Sequence, residues 1–393
     1  MTLDVFVVGG GPSGATAAWD LARAGHKVAL LDRAGRIKPC GGAIPPRAIL
    51  DFDIPDHLLV AKVETARMIS PTGRSVDIHI ENGFVGMVDR EDFDEFLRVR
   101  AITAGADRLT GTYLRIERDA AGTHVVWRDK ATGQEQRTRT RLVIGADGAR
   151  SVVARDHVPG GDKIPYVIAY HEIVRAPTTV ANYDPKRCDV VYDGRISPDF
   201  YGWVFPHGDT ASIGMGSGVD GVDLKQATAD LRASSGLTGC ETIRKEGAPI
   251  PLHPLDKWDN GRDVVLAGDA AGVVAPSSGE GIYYAMMGGR VAATAAQRFL
   301  ASGKVRDLAV ARKLFMKDHK TVFKVLRSMQ DAYYRSDERR ERFVSLCHDQ
   351  DVQKLTFEAY MNKKLVAARP LAHLKIGIKN VAHLLRLVSP NWT

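Results

Sequence analysis

The sequence predicts a doubly wound α/β fold whose parallel sheet is joined to an antiparallel one and followed by a helical C-terminal region. Three observations predict it. An apolar run from Leu3 to Val8 ends in glycines, leads into a helix-like stretch from Ala15 to Ala24, and is followed by a second apolar run from Lys27 to Leu31. Strand-like segments separated by turn signals recur from Tyr166 to Gly218. Beyond Lys304 the pattern is helical almost to the end, broken at Pro370.

After the opening strand–turn–helix–strand unit, Ile37 to Pro55 is rich in Pro and Gly and reads as loop. Arg90 to Gly105 spaces Phe93, Phe96, Leu97 and Ala101 as a helix does. Tyr113 to Arg118 and His124 to Trp127 alternate like hairpin strands, and Leu142 to Ile144 is a further buried strand. Val264 to Ala267 returns to a buried strand, with a long helix from about Gly281. This order divides the chain into residues 1–160 with 255–300 as a discontinuous dinucleotide-binding unit, 161–254 as an antiparallel substrate-binding unit, and 301–393 as a helical basic region.

Composition narrows the function classes. With 44% hydrophobic and 26% charged residues over 393 positions, the chain is globular, neither disordered nor collagen-like. Cys40, Cys188, Cys240 and Cys347 form no CxxC pair, so neither a metal site nor a disulfide framework is expected, and a reducing, cytoplasmic setting fits. No secretory leader precedes the first strand, and no apolar run approaches the roughly 18 residues of a membrane span. Charge is uneven: from Ala301 onward there are 19 basic and 9 acidic residues, a net of +10, against −3 for the rest. Leu371, Leu374, Ile378, Val381, Leu385 and Val388 recur at spacings of three and four, with Lys375, Lys379, His383 and Arg386 on another side. That is an amphipathic basic helix, suited either to a membrane interface or to packing on the first unit.

The strongest motif is Val7-Val8-Gly9-Gly10-Gly11-Pro12-Ser13-Gly14. Gly9 permits the tight turn, Gly11 lets backbone approach a pyrophosphate, and Gly14 lets helix pack closely on strand. Pro12 and Ser13 open a helix whose free amides face the phosphates. Asp32 closes the second strand 18 positions beyond Gly14, placed to accept from ribose hydroxyls. A dinucleotide is therefore expected. Far downstream, Val264-Val265-Leu266-Ala267-Gly268-Asp269 is a buried strand ending in Gly-Asp, an acid suited to ribityl hydroxyls.

The pairing of these two motifs resembles the flavoprotein hydroxylase superfamily, in which the Gly-Asp motif holds FAD. Gly145-Ala146-Asp147-Gly148-Ala149-Arg150-Ser151 is similar to that superfamily's middle Asp-Gly motif, where the aspartate is mainly structural. Within the superfamily, Lys38-Pro39-Cys40-Gly41-Gly42-Ala43-Ile44-Pro45 resembles the segment of geranylgeranyl reductases that passes beside the isoalloxazine. Tyr201-Gly202-Trp203-Val204-Phe205-Pro206 resembles their Y-x-W-x-F-P signature, although His207 stands where many relatives carry lysine. Gly268 to Gly272, Pro276 and Gly279-Glu280-Gly281-Ile282 resemble their cofactor-facing loop and helix start. The likeness runs from Met1 to about Leu300 and is nearest the chlorophyll and bacteriochlorophyll branch.

What the resemblance implies agrees with the chemistry of the residues. Reducing an isolated alkene needs a hydride, a proton and a dry slot, and a flavin supplies the hydride. The helix from Gly281 and Ile282 would direct its positive end at the flavin. Tyr201, Trp203 and Phe205 alternate along a strand and so share a face, suited with Pro206 to a prenyl slot or, alternatively, to an aromatic core stripe. The resemblance implies that Cys40 touches the flavin, tunes its potential or assists protonation; the alternative is that it is simply small among glycines. Glu280 reads as a helix cap or as part of proton delivery. Val88-Asp89-Arg90-Glu91-Asp92-Phe93-Asp94-Glu95-Phe96-Leu97-Arg98 resembles the superfamily helix whose arginine approaches FAD, which implies that role for Arg90 or Arg98, the alternative being a surface ion pair. The resemblance also implies NADPH as a transient electron donor, with Arg33 or Arg36 near its phosphates.

The expected activity is an FAD-dependent reduction that saturates three alkenes of a geranylgeranyl chain to phytyl, on a prenylated tetrapyrrole or on the prenyl diphosphate. The expected surroundings are a photosynthetic membrane surface, reached through the basic C-terminal helix, and other pigment-synthesis enzymes, with no nucleic acid and no metal. Two alternatives stand beside it. One is a flavin monooxygenase or halogenase, since Trp203 and Pro206 also resemble the halogenase W-x-W-x-I-P motif. The other is a non-catalytic, FAD-dependent carrier of prenyl lipids.

Overall fold

The computed structural model describes residues 2–80, 83–179, 182–353, 361 and 363. From the N-terminus run β1 (Leu3–Val8), α1 (Pro12–Arg23), β2 (Val28–Asp32), β3 (Ala43–Ile44), α2 (Pro46–Asp51), β4 (Leu59–Val63), β5 (Thr65–Ile69), β6 (Ser75–His79) and β7 (Val85–Val88). The middle of the chain gives α3 (Arg90–Thr103), β8 (Asp107–Asp119), β9 (Gly122–Asp129), β10 (Glu135–Gly145), α4 (Val152–His157), β11 (Tyr166–Arg175) and β12 (Arg187–Val191). Then come β13 (Gly202–His207), β14 (Thr210–Ser217), α5 (Leu224–Ser234), β15 (Thr242–Pro251), β16 (Val264–Leu266), α6 (Ile282–Ser302), α7 (Val310–Tyr333) and α8 (Asp337–Leu346).

β1 pairs in parallel with β2 and β10, β2 with β8, and β10 with β16. β1, β2, β16 and the Leu142–Ile144 end of β10 are near-continuous apolar runs, buried in the core of the fold. β9 pairs antiparallel with both β8 and β10. One large hydrophobic cluster joins this sheet to α1, α6 and α7.

A second sheet has the order β15-β11-β14-β13-β12-β5-β6, antiparallel except for β12 with β5. Its two faces differ. Ile213 and Met215 of β14 point into a cluster with Ala227 and Leu231 of α5, so the alternate residues Ser212, Gly214 and Gly216 face the other way. A small third sheet, β3-β7-β4, lies beside it.

Two expectations need correction. The stretch from Ile37 to Pro55 is not all loop: it holds β3 and α2. Pro46, at the first position of α2, has the fixed φ that starts a helix, and Phe52 just beyond is fully buried. β5 and β6 pair into the second sheet although they lie within 1–160, because hairpin alternation carries no mark of which sheet it joins. The helical reading beyond Lys304 is met by α7 and α8, whereas the amphipathic stretch from Leu371 to Val388 lies outside the described residues.

Candidate active site

The glycine turn after β1 is built as its spacing demands. Gly9 has φ +105°, and a Cβ there would sit 2.3 Å from the Ala146 carbonyl oxygen, so only glycine fits. Gly11 has nothing within 4 Å of its Cβ position and faces open space. Asp32 Oδ2 accepts from the Gly10 amide at 3.1 Å and Oδ1 from the Ala34 amide at 2.9 Å. Arg98 Nη1 donates to the Gly10 carbonyl at 3.2 Å and lies 3.9 Å from Asp32. Ser13 Oγ, in the first turn of α1, is buried with no protein partner. An orphaned hydroxyl, an open cradle at Gly11 and free helix amides fit the phosphates of a dinucleotide. Arg33, next to Asp32 at the end of β2, is exposed.

The other motifs meet the same groove. Asp147 accepts from Val152 and Val153 amides at 2.7 and 3.2 Å and from Ser151, so it holds the start of α4, as expected of a structural acid. Gly148 follows in a left-handed turn. Gly268 packs against Ser13, and Asp269 is ion-paired with Lys38, a side chain outside the expected set. Gly281 precedes α6 and Ile282 begins it. Glu280 Oε1 accepts from the Tyr283 amide at 2.8 Å, a helix cap, while Oε2 takes the buried Lys363 ammonium at 2.6 Å.

A cavity of about 700 Å³, counting its solvent-open part, continues from this groove to the second sheet. Cys40, Gly41 and Arg90 line one side, Pro12, Asp269 and Ile282 another, and Ala169, His171 and Trp203 of the sheet a third. Cys40 Sγ accepts from the Gly42 amide at 3.4 Å. Arg90 makes a bidentate pair with Asp94 at 2.9 and 2.8 Å. Burial opposes its charge, but Asp94 and the Cys40 sulfur hold the guanidinium above its ordinary range. Arg90 and Arg98, two turns apart on α3, thus serve different places: Arg98 the nucleotide end, Arg90 the cavity.

Of the aromatic set, only Trp203 lines the cavity. Tyr201 stacks on Phe200 with ring centroids 4.3 Å apart, and its hydroxyl donates to the Ser278 carbonyl, so it is a core residue. Phe205 packs on Gly41, its ring 3.2 Å from where a Cβ would stand. Pro206 is buried within β13 and does not reach the cavity. The alternation does put the three rings on one face, but the cavity opens against only part of it. His207 is half-buried and packs against Gly42 of the Cys40 loop, and desolvation pushes its pKa down. His171 escaped the sequence reading because a lone histidine in a strand carries no motif.

Residues 3–183 match the family model of pyridine nucleotide-disulphide oxidoreductases. The chain is 74% identical to a geranylgeranyl diphosphate reductase of Rhodobacter capsulatus over the full length of both proteins. It is 40% identical to the chloroplastic geranylgeranyl diphosphate reductase of Oryza sativa, covering 98% of this chain and 86% of that one. In fold it is similar to a geranylgeranyl bacteriochlorophyll reductase-like protein of Thermoplasma acidophilum, with a TM-score of 0.79 at 22% identity over 94% of this chain and 99% of that one.

Proposed function

Because the chain belongs to the geranylgeranyl diphosphate reductase family, we propose that it saturates three alkenes of a geranylgeranyl chain, borne on (bacterio)chlorophyll or on diphosphate. The observation that carries this reading is the single cavity shared by the dinucleotide groove, the Cys40 loop and an apolar sheet face. FAD supplies the hydride when bound and reduced. Gly9 to Gly14 and Ser13 would hold its pyrophosphate, Asp32 and Arg98 its adenosine end, and Asp269 its ribityl chain. Arg90, fixed by Asp94, keeps a cation at the cavity wall beside Cys40, and the amides at the start of α6 favour negative charge there. Trp203 and Ala169 offer apolar surface to the prenyl chain and exclude water around the alkene. Cys40 contacts the reacting region from the loop side. NADPH is the proposed donor.

Peripheral binding to a membrane through the basic C-terminal segment belongs to the same reading, since a prenylated pigment dissolves in the bilayer. Among the described residues no helix is long and apolar enough to cross one. The test is turnover with NADPH and a geranylgeranyl pigment or diphosphate in the absence of oxygen, read by mass spectrometry. The expected product is heavier by two hydrogens for each alkene reduced. Oxygen-dependent product, or halide incorporation, would refute the reading in favour of a monooxygenase or halogenase; bound but unchanged substrate would point to a carrier.

A further inference from the structure

Across the second sheet, one row of residues facing the cavity contains a titratable chain that the mechanism above leaves unused. Glu246 of β15 stands opposite His171 of β11, His171 opposite Gly214 of β14, and Gly214 opposite Trp203 of β13. Cross-strand partners project to the same face, and Gly214 projects nothing. A Cβ there would lie 2.4 Å from His171 Cβ and 2.6 Å from Trp203 Cζ2. Imidazole and indole close over the gap, ring centroids 6.2 Å apart, and both line the cavity.

Hydrogen bonds run along this row. His171 Nε2 lies 3.1 Å from Glu246 Oε2 and Nδ1 lies 2.9 Å from Ser212 Oγ, while Trp203 Nε1 donates to the same hydroxyl at 3.1 Å. Burial opposes ionisation of Glu246, but His171 and Arg244 hold its carboxyl below the ordinary range. A carboxylate only accepts, so Nε2 carries a hydrogen and donates it to Glu246. Nδ1 then accepts from Ser212 when the ring is neutral and donates when it is cationic. The outer end of the row meets water at the sheet edge, where Arg244 pairs with Glu246 and is 36% exposed.

We propose that His171, oriented by Glu246, is the proton donor to the alkene, an assignment that rests on the reductase reading above. Saturating one alkene adds a hydride, from the reductant of the reaction, and a proton. As the hydride bonds to one carbon, the π electron pair forms a C–H bond at the other with the hydrogen leaving His171 Nδ1. The imidazolium becomes neutral imidazole, keeps its Nε2 hydrogen on Glu246, and regains a proton at Nδ1 from water that enters the cavity once product has left. The charged and titratable groups around His171 are Glu246 and Arg244 on β15, His207 on β13, and Cys40, Arg90, Lys38 and Asp269 across the cavity.

The test uses holoenzyme reduced with dithionite and mixed anaerobically with geranylgeranyl diphosphate or geranylgeranyl-esterified bacteriochlorophyll, following flavin reoxidation against pH. His171→Gln keeps hydrogen-bonding groups but has no proton to give. It should slow reoxidation by about 100-fold or more, abolish the fall in rate with rising pH, and leave FAD content and reduction by NADPH unchanged. Glu246→Gln removes the carboxylate charge beside Nε2. Its high-pH limb, and the His171 ring titration followed by NMR, should both move to lower pH. A His171→Gln enzyme with wild-type rate and pH profile would overturn the proposal. If that variant does not fold, an unmoved limb and unmoved ring titration in Glu246→Gln would overturn it equally. Wild-type enzyme that reacts with neither substrate overturns the reductase reading itself, and with it this assignment.

Discussion

Replacing Gly11 with valine separates binding from folding at a single position. Gly11 has φ −74° and ψ −177°, extended backbone that any residue adopts, and its Cβ position has no neighbour within 4 Å. The protein alone should therefore tolerate valine to within about 0.5 kcal/mol. The open space is, however, where a pyrophosphate must approach the backbone. Losing two charge-assisted hydrogen bonds there, at about 1.5–3 kcal/mol each, would cost about 3–6 kcal/mol, or on the order of 100- to 10,000-fold in affinity. The assay is flavin absorbance per protein after gel filtration, beside thermal melting of the apoprotein. A neighbouring change supplies the contrast: a Cβ at Gly14 would stand 1.9 Å from the Gly9 carbonyl oxygen, so Gly14→Ala must shift backbone and should lose about 3 kcal/mol of stability. A Gly11→Val protein that purifies with a full complement of FAD would refute the assignment of the groove.

Asp269→Asn should weaken FAD binding by about 1–3 kcal/mol, as a charged acceptor becomes a neutral one, measured by titrating apoprotein; an unchanged dissociation constant would make Asp269 structural. Trp203→Ala removes a ring that both lines the cavity and is 6% exposed, so about 3–5 kcal/mol of stability should go together with alkene reduction. Wild-type turnover well below its lowered melting point would restrict Trp203 to packing. Burial raises the pKa of Asp263, but Arg118, Asn260 and Thr123 more than offset this and bring it down to about 2. Its contribution is present above the unfolded carboxylate pKa and lost as pH falls toward 2, so Arg118→Ala should cost about 2 kcal/mol at pH 7 and little at pH 2 by urea unfolding. Changing Lys375, Lys379 and Arg386 to Glu should strip the protein from anionic vesicles, at about 1 kcal/mol per lost basic residue; unaltered co-flotation would place membrane contact elsewhere.

The glycine turn, Asp32 and Gly268–Asp269 were legible because each is local: a turn, a strand end and a helix start lie within a few residues of one another. Lys38 shows the limit of such reading. Its partner Asp269 is 231 positions away, and nothing in Lys38-Pro39-Cys40 indicates that the ammonium reaches the Gly-Asp acid. Arg90 and Arg98 could be named together from their helix, yet only the packing of α3 against Gly10 on one turn and Cys40 on another distinguishes them.

The aromatic run shows why alternation reveals a face but not an opening. Tyr201, Trp203 and Phe205 do share one side, and which of them meets the cavity depends on what lies above: Phe200 and Ser278 over the first, Gly41 over the last. One clue to the middle of the row was present in β14 itself. Its run Thr-Ala-Ser-Ile-Gly-Met-Gly-Ser places Ser212, Gly214 and Gly216 on one face, with Ile213 and Met215 on the other. A strand that withholds side chains from one face in a buried sheet must leave room for large neighbours or a ligand. Here His171 and Trp203 fill the space over Gly214, and both line the cavity. A methyl group at Gly214 would therefore disturb the proposed proton donor His171 and the Trp203 wall together, although it touches neither cofactor motif.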